Sequence, residues 1–423
     1  MRKKARNGSE NGWKNGSSSS ARTKPRFPPL SGRRLVKQKK TIIEIKTLSG
    51  DLAIPAVYGM DPQTKQWINP LRIALGLDGT KKKTCSPELV ERVCFTATQS
   101  LSYQACELIS ERWGVPITDS TIQRHVCEQG AMIQERRDRK VQEALDPATR
   151  HQVVKQAAEE CRDEEFSLLI MLDGWMIRER GQDWGLKPPE ALGGRVDWRE
   201  MKTGIVFRLE DLAKTQSGRG VVLRKYYEAY RGDPETFGQR LWALALRKGL
   251  YQAKRVYVVA DGAIWIWNLV EQRFDTAITQ LDFYHASEHL WAVAHALHDD
   301  DQEAKAWAEP LVSQLRHGQH QRVVAVLGDT LTALDALSKE NRETAETNVA
   351  YFEKNKERLN YAENSAHGCP AGSGAIESTC SQLQDRFKRT GQFWTQPGAA
   401  HLMTIEIIRR NDEWDDYWGE MVA

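Results

Sequence analysis

Apolar and polar positions alternate along residues 41–58, with Ile42, Ile43 and Ile45 before Ser49-Gly50 and Leu52, Ile54 and Ala56 after it. Alternation interrupted by a turn pair predicts a β-hairpin. From residue 88 the period lengthens: Ala105, Leu108 and Ile109 recur at helical spacing. Gly114 breaks that helix and Pro116 follows. Ser120 then opens a second helix, with Gln123 at capping-box spacing. Ile122 and Val126 form its inner stripe, while Thr121, Gln123 and Arg124 point outward. Helix, glycine turn and capped helix is the pattern of a DNA-reading helix-turn-helix, and equally that of an ordinary helical hairpin. Residues 131–165, with Arg136, Arg137, Arg139 and Lys140, read as a charged linker helix.

The period then shortens. Residues 166–172 are a continuous apolar strand, and 202–209 and 221–230 are further strand candidates rich in β-branched and aromatic residues. Asp233-Pro234 has helix-start chemistry, Asp at the cap and Pro at the first turn, for a helix ending at Gly249. Strand 255–260, helix 262–274, strand 277–283, a long helical stretch to about residue 361 and a final helix from Gly374 complete the series. With 286–365 set aside, the order is β-β-β-α-β-α-β-α, that of the ribonuclease-H-like fold.

The expected architecture is therefore α/β: a ribonuclease-H-like mixed sheet carrying an all-α insertion, preceded by a small β region and a helical domain. The divisions are a disordered basic arm (1–40), the β region (41–80), a helix-turn-helix domain (81–135) and a linker helix (136–162). A catalytic domain (163–285 with 366–423) follows, interrupted by the insertion (286–365).

Charge sharpens one part of this picture. Residues 1–40 hold thirteen Lys and Arg against the single acid Glu10, so the rest of a chain of net charge +3 is mildly acidic. Such an arm, with Ser17–Ser20 and Pro28-Pro29, cannot bury a core. It is either a solubilising tail or a source of sequence-blind phosphate contacts. No apolar run spans a bilayer, and no apolar stretch follows the basic start as in a secretory signal. The seven Cys form no C-x-x-C pair, which argues for a reducing cytosol and against a zinc ribbon or disulfide framework.

Candidate chemistry sits at three acids. Asp173 follows strand 166–172 and Asp261 follows strand 255–260, each directly before a Gly; Glu377 lies in the first turn of the helix from Gly374. Asp-Gly is a common turn dipeptide. Carboxylates on the adjacent first and fourth strands plus a closing helix are also what two Mg²⁺ ions require for phosphoryl transfer. Ile376, Cys380, Leu383 and Phe387 pack that helix, leaving Glu377 at the edge of the buried face. Arg386, Lys388 and Arg389 near its end either complement the helix dipole or bind DNA phosphates. Asp282 and His285 follow the fifth strand, three apart, as a metal or phosphate pair, although no H-E-x-x-H accompanies them. Trp265, Trp267 and Trp394 are core residues or base-stacking residues.

Four segments, 260–268 (ADGAIWIWN), 281–291 (LDFYHASEHLW), 372–377 (GSGAIE) and 389–394 (RTGQFW), resemble the ISKra-type insertion-sequence transposases. The resemblance covers roughly 160–420 well and the N-terminal third loosely. It implies that Asp173, Asp261 and Glu377 form a DDE triad holding two Mg²⁺, with Mn²⁺ able to substitute. It implies that 286–365 is the helical insertion between the second Asp and the Glu. Asp282 and His285 match a C/D-x-x-H signature thought to organise the site or the DNA. The implied activity is DNA cleavage and strand transfer at terminal inverted repeats, by a homodimer or larger assembly in the bacterial cytoplasm at the nucleoid. A departure from the family is that Tyr58-Gly59-Met60-Asp61-Pro62 lacks the Cys pair of an N-terminal zinc module. A nuclease or resolvase without strand transfer, and a domesticated DNA-binding protein, are the competing expectations.

Overall fold

A computed structural model describes residues 35–75, 77, 83–161, 165–185, 194–217, 220–332 and 337–422. The basic arm up to residue 34, and Lys81-Lys82 at the expected boundary, lie outside them. The chain divides into two compact units, 1–86 and 87–423.

The first unit holds β1 (Val36–Thr47), β2 (Gly50–Met60), β3 (Trp67–Ile68), α1 (Pro70–Ala74) and β4 (Lys83–Cys85). They form one sheet in the order β3-β2-β1-β4, with β1 antiparallel to β2 and parallel to β4. The hairpin turns at Gly50, whose φ of +111° suits a residue without Cβ. Ile43, Ile45, Ala56 and Leu77 make its small core. Residues 36–40, expected as the end of a disordered arm, instead begin β1. Val36 pairs with Met60 and Lys40 with Val57, so backbone pairing orders a stretch whose side chains are mostly exposed.

The second unit opens with four helices: α2 (Pro87–Gln99), α3 (Tyr103–Arg112), α4 (Asp119–Leu145) and α5 (Pro147–Glu160). Residues 119–145 are one continuous helix, so the expected second helix of the hairpin and the start of the linker are a single rod. It starts one residue before Ser120, with Thr118 at the cap. The Thr118 hydroxyl bonds to those of Ser120 and Thr121 and leaves the backbone cap open. Glu107 of α3 supplies the cap instead, accepting from the Asp119 amide at 2.9 Å. The rod ends where Asp146-Pro147 forbids continuation, and Asp146 caps α5.

Next come β5 (Ser167–Arg180), β6 (Val196–Arg208), β7 (Leu212–Lys214), β8 (Gly220–Val222), β9 (Tyr226–Tyr230), α6 (Pro234–Arg247), β10 (Arg255–Ala260), α7 (Ile264–Arg273) and β11 (Ile278–Leu281). The main sheet has the order β11-β10-β5-β6-β9; β5, β10 and β11 run parallel, and β6 is antiparallel to β5 and β9. The stretch 221–230, expected as one strand, divides: β8 pairs only with β7, and β9 joins the main sheet. Asp233 caps α6 by accepting from the Thr236 amide at 2.7 Å, as the Asp-Pro pair predicts.

Between β11 and α13 (Gly374–Phe387) lie α8 (Phe283–Leu297), α9 (Asp301–Arg316), α10 (His320–Thr330), α11 (Lys339–Asn355) and α12 (Tyr361–Ala366). Leu315, Leu327 and Phe352 of this segment share one buried cluster with Ile170 of β5 and Val258 of β10. The helix from Gly374 is not the last. It is followed by α14 (Gln396–Arg410) and α15 (Trp414–Val422). Helix α14 lies against α4 so closely that a Cβ on Gly130 would collide with the backbone of His401.

Candidate active site

Strand pairing fixes the first two acids. Leu172 of β5 stands opposite Ala260 of β10 in a parallel ladder. The next residue on each strand is an Asp, so Asp173 and Asp261 emerge side by side. Asp173 does not end its strand: β5 continues to Arg180, because Trp175 and Ile177 are buried and β6 pairs with it throughout. Its Asp-Gly pair is therefore not a turn. Asp261 does leave its strand, and its Oδ1 accepts from the Ala263 amide at 3.0 Å.

Helix α13 packs on β5 and brings the third acid, the exposed Glu377, to the same place. Burial pushes the Asp173 carboxyl above its ordinary value, and the charges of Asp261 and Glu377 push the same way; bonds from the Cys380 thiol and the Gly174 amide oppose them. Asp173 thus feels the charges of both other carboxylates. Burial first, and then Asp173, push the Cys380 thiol up, so it stays protonated as a donor.

Asp282 is fully buried and is not a surface DNA contact. Its Oδ1 accepts from the His285 amide at 2.8 Å, and its Oδ2 accepts from the Ser373 amide and, at 2.7 Å, the Ser373 hydroxyl. The same hydroxyl lies 2.9 Å from Glu377 Oε1. Burial alone would raise the Asp282 carboxyl, but the bonds from His285 and Ser373 outweigh it and hold it at about 2. Asp282 in turn raises His285 to about 9. Ligand atoms of Asp282, His285 and Glu377 lie within 4.8 Å of one another, close enough for a cation. Asp282 already accepts three bonds, from the His285 amide, the Ser373 amide and the Ser373 hydroxyl. This trio reads better as a hydrogen-bonded support for the start of α13.

Sequence reasoning gives Ser373 and Tyr351 no role and Cys380 only a packing one, whereas all three stand at the site. Ser373 and Cys380 carried a signal, standing four residues before and three after Glu377, one helical turn each way. Tyr351, from α11, packs beside Gly262 and stacks on His289 with ring centroids 3.6 Å apart. Burial and then the charge of Asp261 push its phenol up. No sequence pattern places it there.

The remaining candidates scatter. Arg386 is buried and not a phosphate contact: its Nε donates to the Ala97 carbonyl at 3.0 Å, and its guanidinium lies over the Tyr103 and Trp394 rings. Lys388 and Arg389 are exposed just past the end of α13. Trp267 and Trp394 are core residues, whereas Trp265 is half-buried under the Lys202 ammonium. Far along the chain, Gln123 is exposed and Thr121 half-buried on the first turns of α4, and Arg124 pairs with Glu128 at 3.6 Å.

No family model matches this sequence, and comparison with curated proteins finds no match. Among solved structures, the chain is similar to the Drosophila P element transposase strand transfer complex at 11% identity and a TM-score of 0.35, over 81% of this chain and 96% of that one. Among the described residues no helix is long and apolar enough to cross a membrane.

Proposed function

We propose that this chain is a DDE transposase of the ISKra type, with a ribonuclease-H-like catalytic sheet interrupted by the helical segment α8–α12. The observation that carries the reading is the register of β5 and β10, which puts Asp173 and Asp261 side by side under the helix bearing Glu377. The sheet order supports the fold, since three antiparallel strands followed by two parallel ones is the ribonuclease-H arrangement.

The donor set suits a hard divalent cation: three carboxylates, among which Asp173 is raised by burial and by the charges of the other two. Asp173, Asp261 and Glu377 would hold two Mg²⁺, with Mn²⁺ as a substitute. When bound, these supply activation of the attacking oxygen and stabilisation of the leaving one. The chain's own work is positional. β5 and β10 fix two carboxylates by backbone pairing. Asp282, through Ser373, fixes where α13 begins. Tyr351 closes the side next to Asp261.

The partners in this reading are terminal inverted repeats, contacted through α3, the turn at Gly114 and the first turns of α4, and target DNA. The working form is a homodimer or larger assembly on DNA at the bacterial nucleoid. The test is incubation of an oligonucleotide carrying the element's end with Mg²⁺ and a target plasmid. Covalently joined product supports the reading. Cleavage without joining would replace it with a nuclease or resolvase, and end binding without cleavage with a domesticated DNA-binding protein.

A further inference from the structure

The N-terminal unit carries a surface that this reading does not use. At the Met60 end of its sheet, Lys39 pairs with Tyr58 across β1 and β2, and Trp67 of β3 pairs with Met60. The Tyr58 and Trp67 rings lie 5.5 Å apart, and the Lys39 ammonium stands 5.6 Å from the Trp67 ring. Trp67 is nevertheless 48% exposed. Lys37 and Lys65 are exposed at the same end of the sheet, whereas Lys40, opposite Val57, points to its other face. Ten further Lys and Arg precede β1 among residues 1–35. Lys37 and Lys65 also have positive φ, +51° and +61°. That conformation costs a non-glycine residue energy and gathers where function demands it.

We propose that this edge is a binding surface for single-stranded nucleic acid, with Trp67 as a stacking platform and Lys37, Lys39 and Lys65 tracking the backbone. The cations alone would suit any polyanion. A half-exposed indole set among them suits a polyanion that also carries flat π faces, and unpaired bases offer those where a duplex hides them. The only acid on the short β2–β3 connection, Asp61, is buried and accepts from the Gln63 amide at 2.8 Å, so its side chain is not presented beside the lysines at the surface.

The surface shares no residue with the carboxylate site, and its test uses none of that site's chemistry. The full chain is titrated, with chelator and no divalent metal, into a fluorescent oligothymidylate of about 20 nucleotides, enough for one such platform. Trp67→Ala is expected to weaken binding about tenfold, as loss of one stacked base does, with Trp67→Phe staying within about twofold of the native chain. Lys39→Gln with Lys65→Gln is expected to flatten the slope of log affinity against log salt by about 1.4, near 0.7 per lost phosphate contact. A duplex and a sulfated polysaccharide of matched charge are expected to bind without sensitivity to Trp67. Loss in the lysine variant alone, with Trp67→Ala unchanged, would reduce the surface to a general polyanion patch. No change in any variant would remove it altogether. Equal loss in Trp67→Phe and Trp67→Ala would mark a collapsed β3 and overturn the stacking role.

Discussion

The Ser373 hydroxyl lies 2.9 Å from Glu377 Oε1. It has one proton, and it also faces Asp282 Oδ2 at 2.7 Å. One small side chain therefore joins an exposed carboxylate to a buried one and holds the first turn of α13 in place. Ser373→Ala is expected to weaken metal-supported cleavage by about 10–100-fold, the usual cost of losing an outer partner of a ligand. Ser373→Thr should recover most of it. The measurement is cleavage rate against Mg²⁺ concentration. An unchanged Mg²⁺ requirement in Ser373→Ala would count against the support role.

Asp173→Asn keeps the shape of the side chain and removes its charge. Cleavage and joining are expected to be lost, while binding to the element's end is retained in a gel-shift titration. Full activity in this variant would refute the carboxylate site.

The Asp282–His285 pair makes stability depend on pH at both ends. A carboxyl held at about 2 stabilises the fold above its ordinary 3.8 and loses that contribution as pH falls toward 2. An imidazole raised to about 9 contributes fully below its ordinary 6.5 and loses its share as pH climbs through 9. The pair is thus expected to stabilise most between 3.8 and 6.5. Urea midpoints from about pH 3 to about pH 10 should show both losses. His285→Gln should flatten the alkaline one, and an identical alkaline decline in that variant would assign it to another group.

Arg124 is half-exposed on α4 and already paired with Glu128 at 3.6 Å. A solvent-facing i,i+4 pair of this kind is weak and can be exchanged for DNA. If Arg124 reads a base, Arg124→Ala should cost about 1–3 kcal/mol and relax preference at one position of the repeat. A uniform loss across sequences would make it a phosphate contact instead.

Gly130 faces the backbone of His401, and a backbone cannot swing aside as a side chain can. Gly130→Ala must therefore push α4 and α14 apart. The expected cost is about 1–3 kcal/mol, typical of overpacking, and larger than the helix propensity gained. Thermal melting followed by circular dichroism checks this, and an unchanged or raised midpoint would contradict it.

Much of this architecture was legible because periodicity and pairing agree. Residues 255–260 were read as a buried strand and form β10 to the residue, since a short apolar run between turns has few alternatives. The Asp233-Pro234 helix start was equally plain. Asp173-Gly174 misled because the dipeptide's turn preference is local, whereas β5 is held past it by Trp175, Ile177 and thirteen-residue pairing with β6. Ser120 misled for a similar reason: its helix is capped by Glu107 from another helix, which no local pattern records. Arg386 reads as a surface cation until Tyr103 and Trp394, distant in sequence, close over it. The expected single final helix from Gly374 leaves out α14, although Thr395, a capping residue, and Pro397, a first-turn proline, mark its start. What sequence could not supply was the contact of Asp282 with Ser373 across the helical segment.

That contact has a consequence for timing. Asp282 and Ser373 stand 91 residues apart, with five helices ordered between them. During synthesis the two Asp-bearing strands can pair early, yet Glu377 has no seat until the whole helical segment has folded back. A nascent chain stopped anywhere short of α13 holds two carboxylates and lacks the third. Any capacity to cut DNA that needs all three acids thus arrives only with α13.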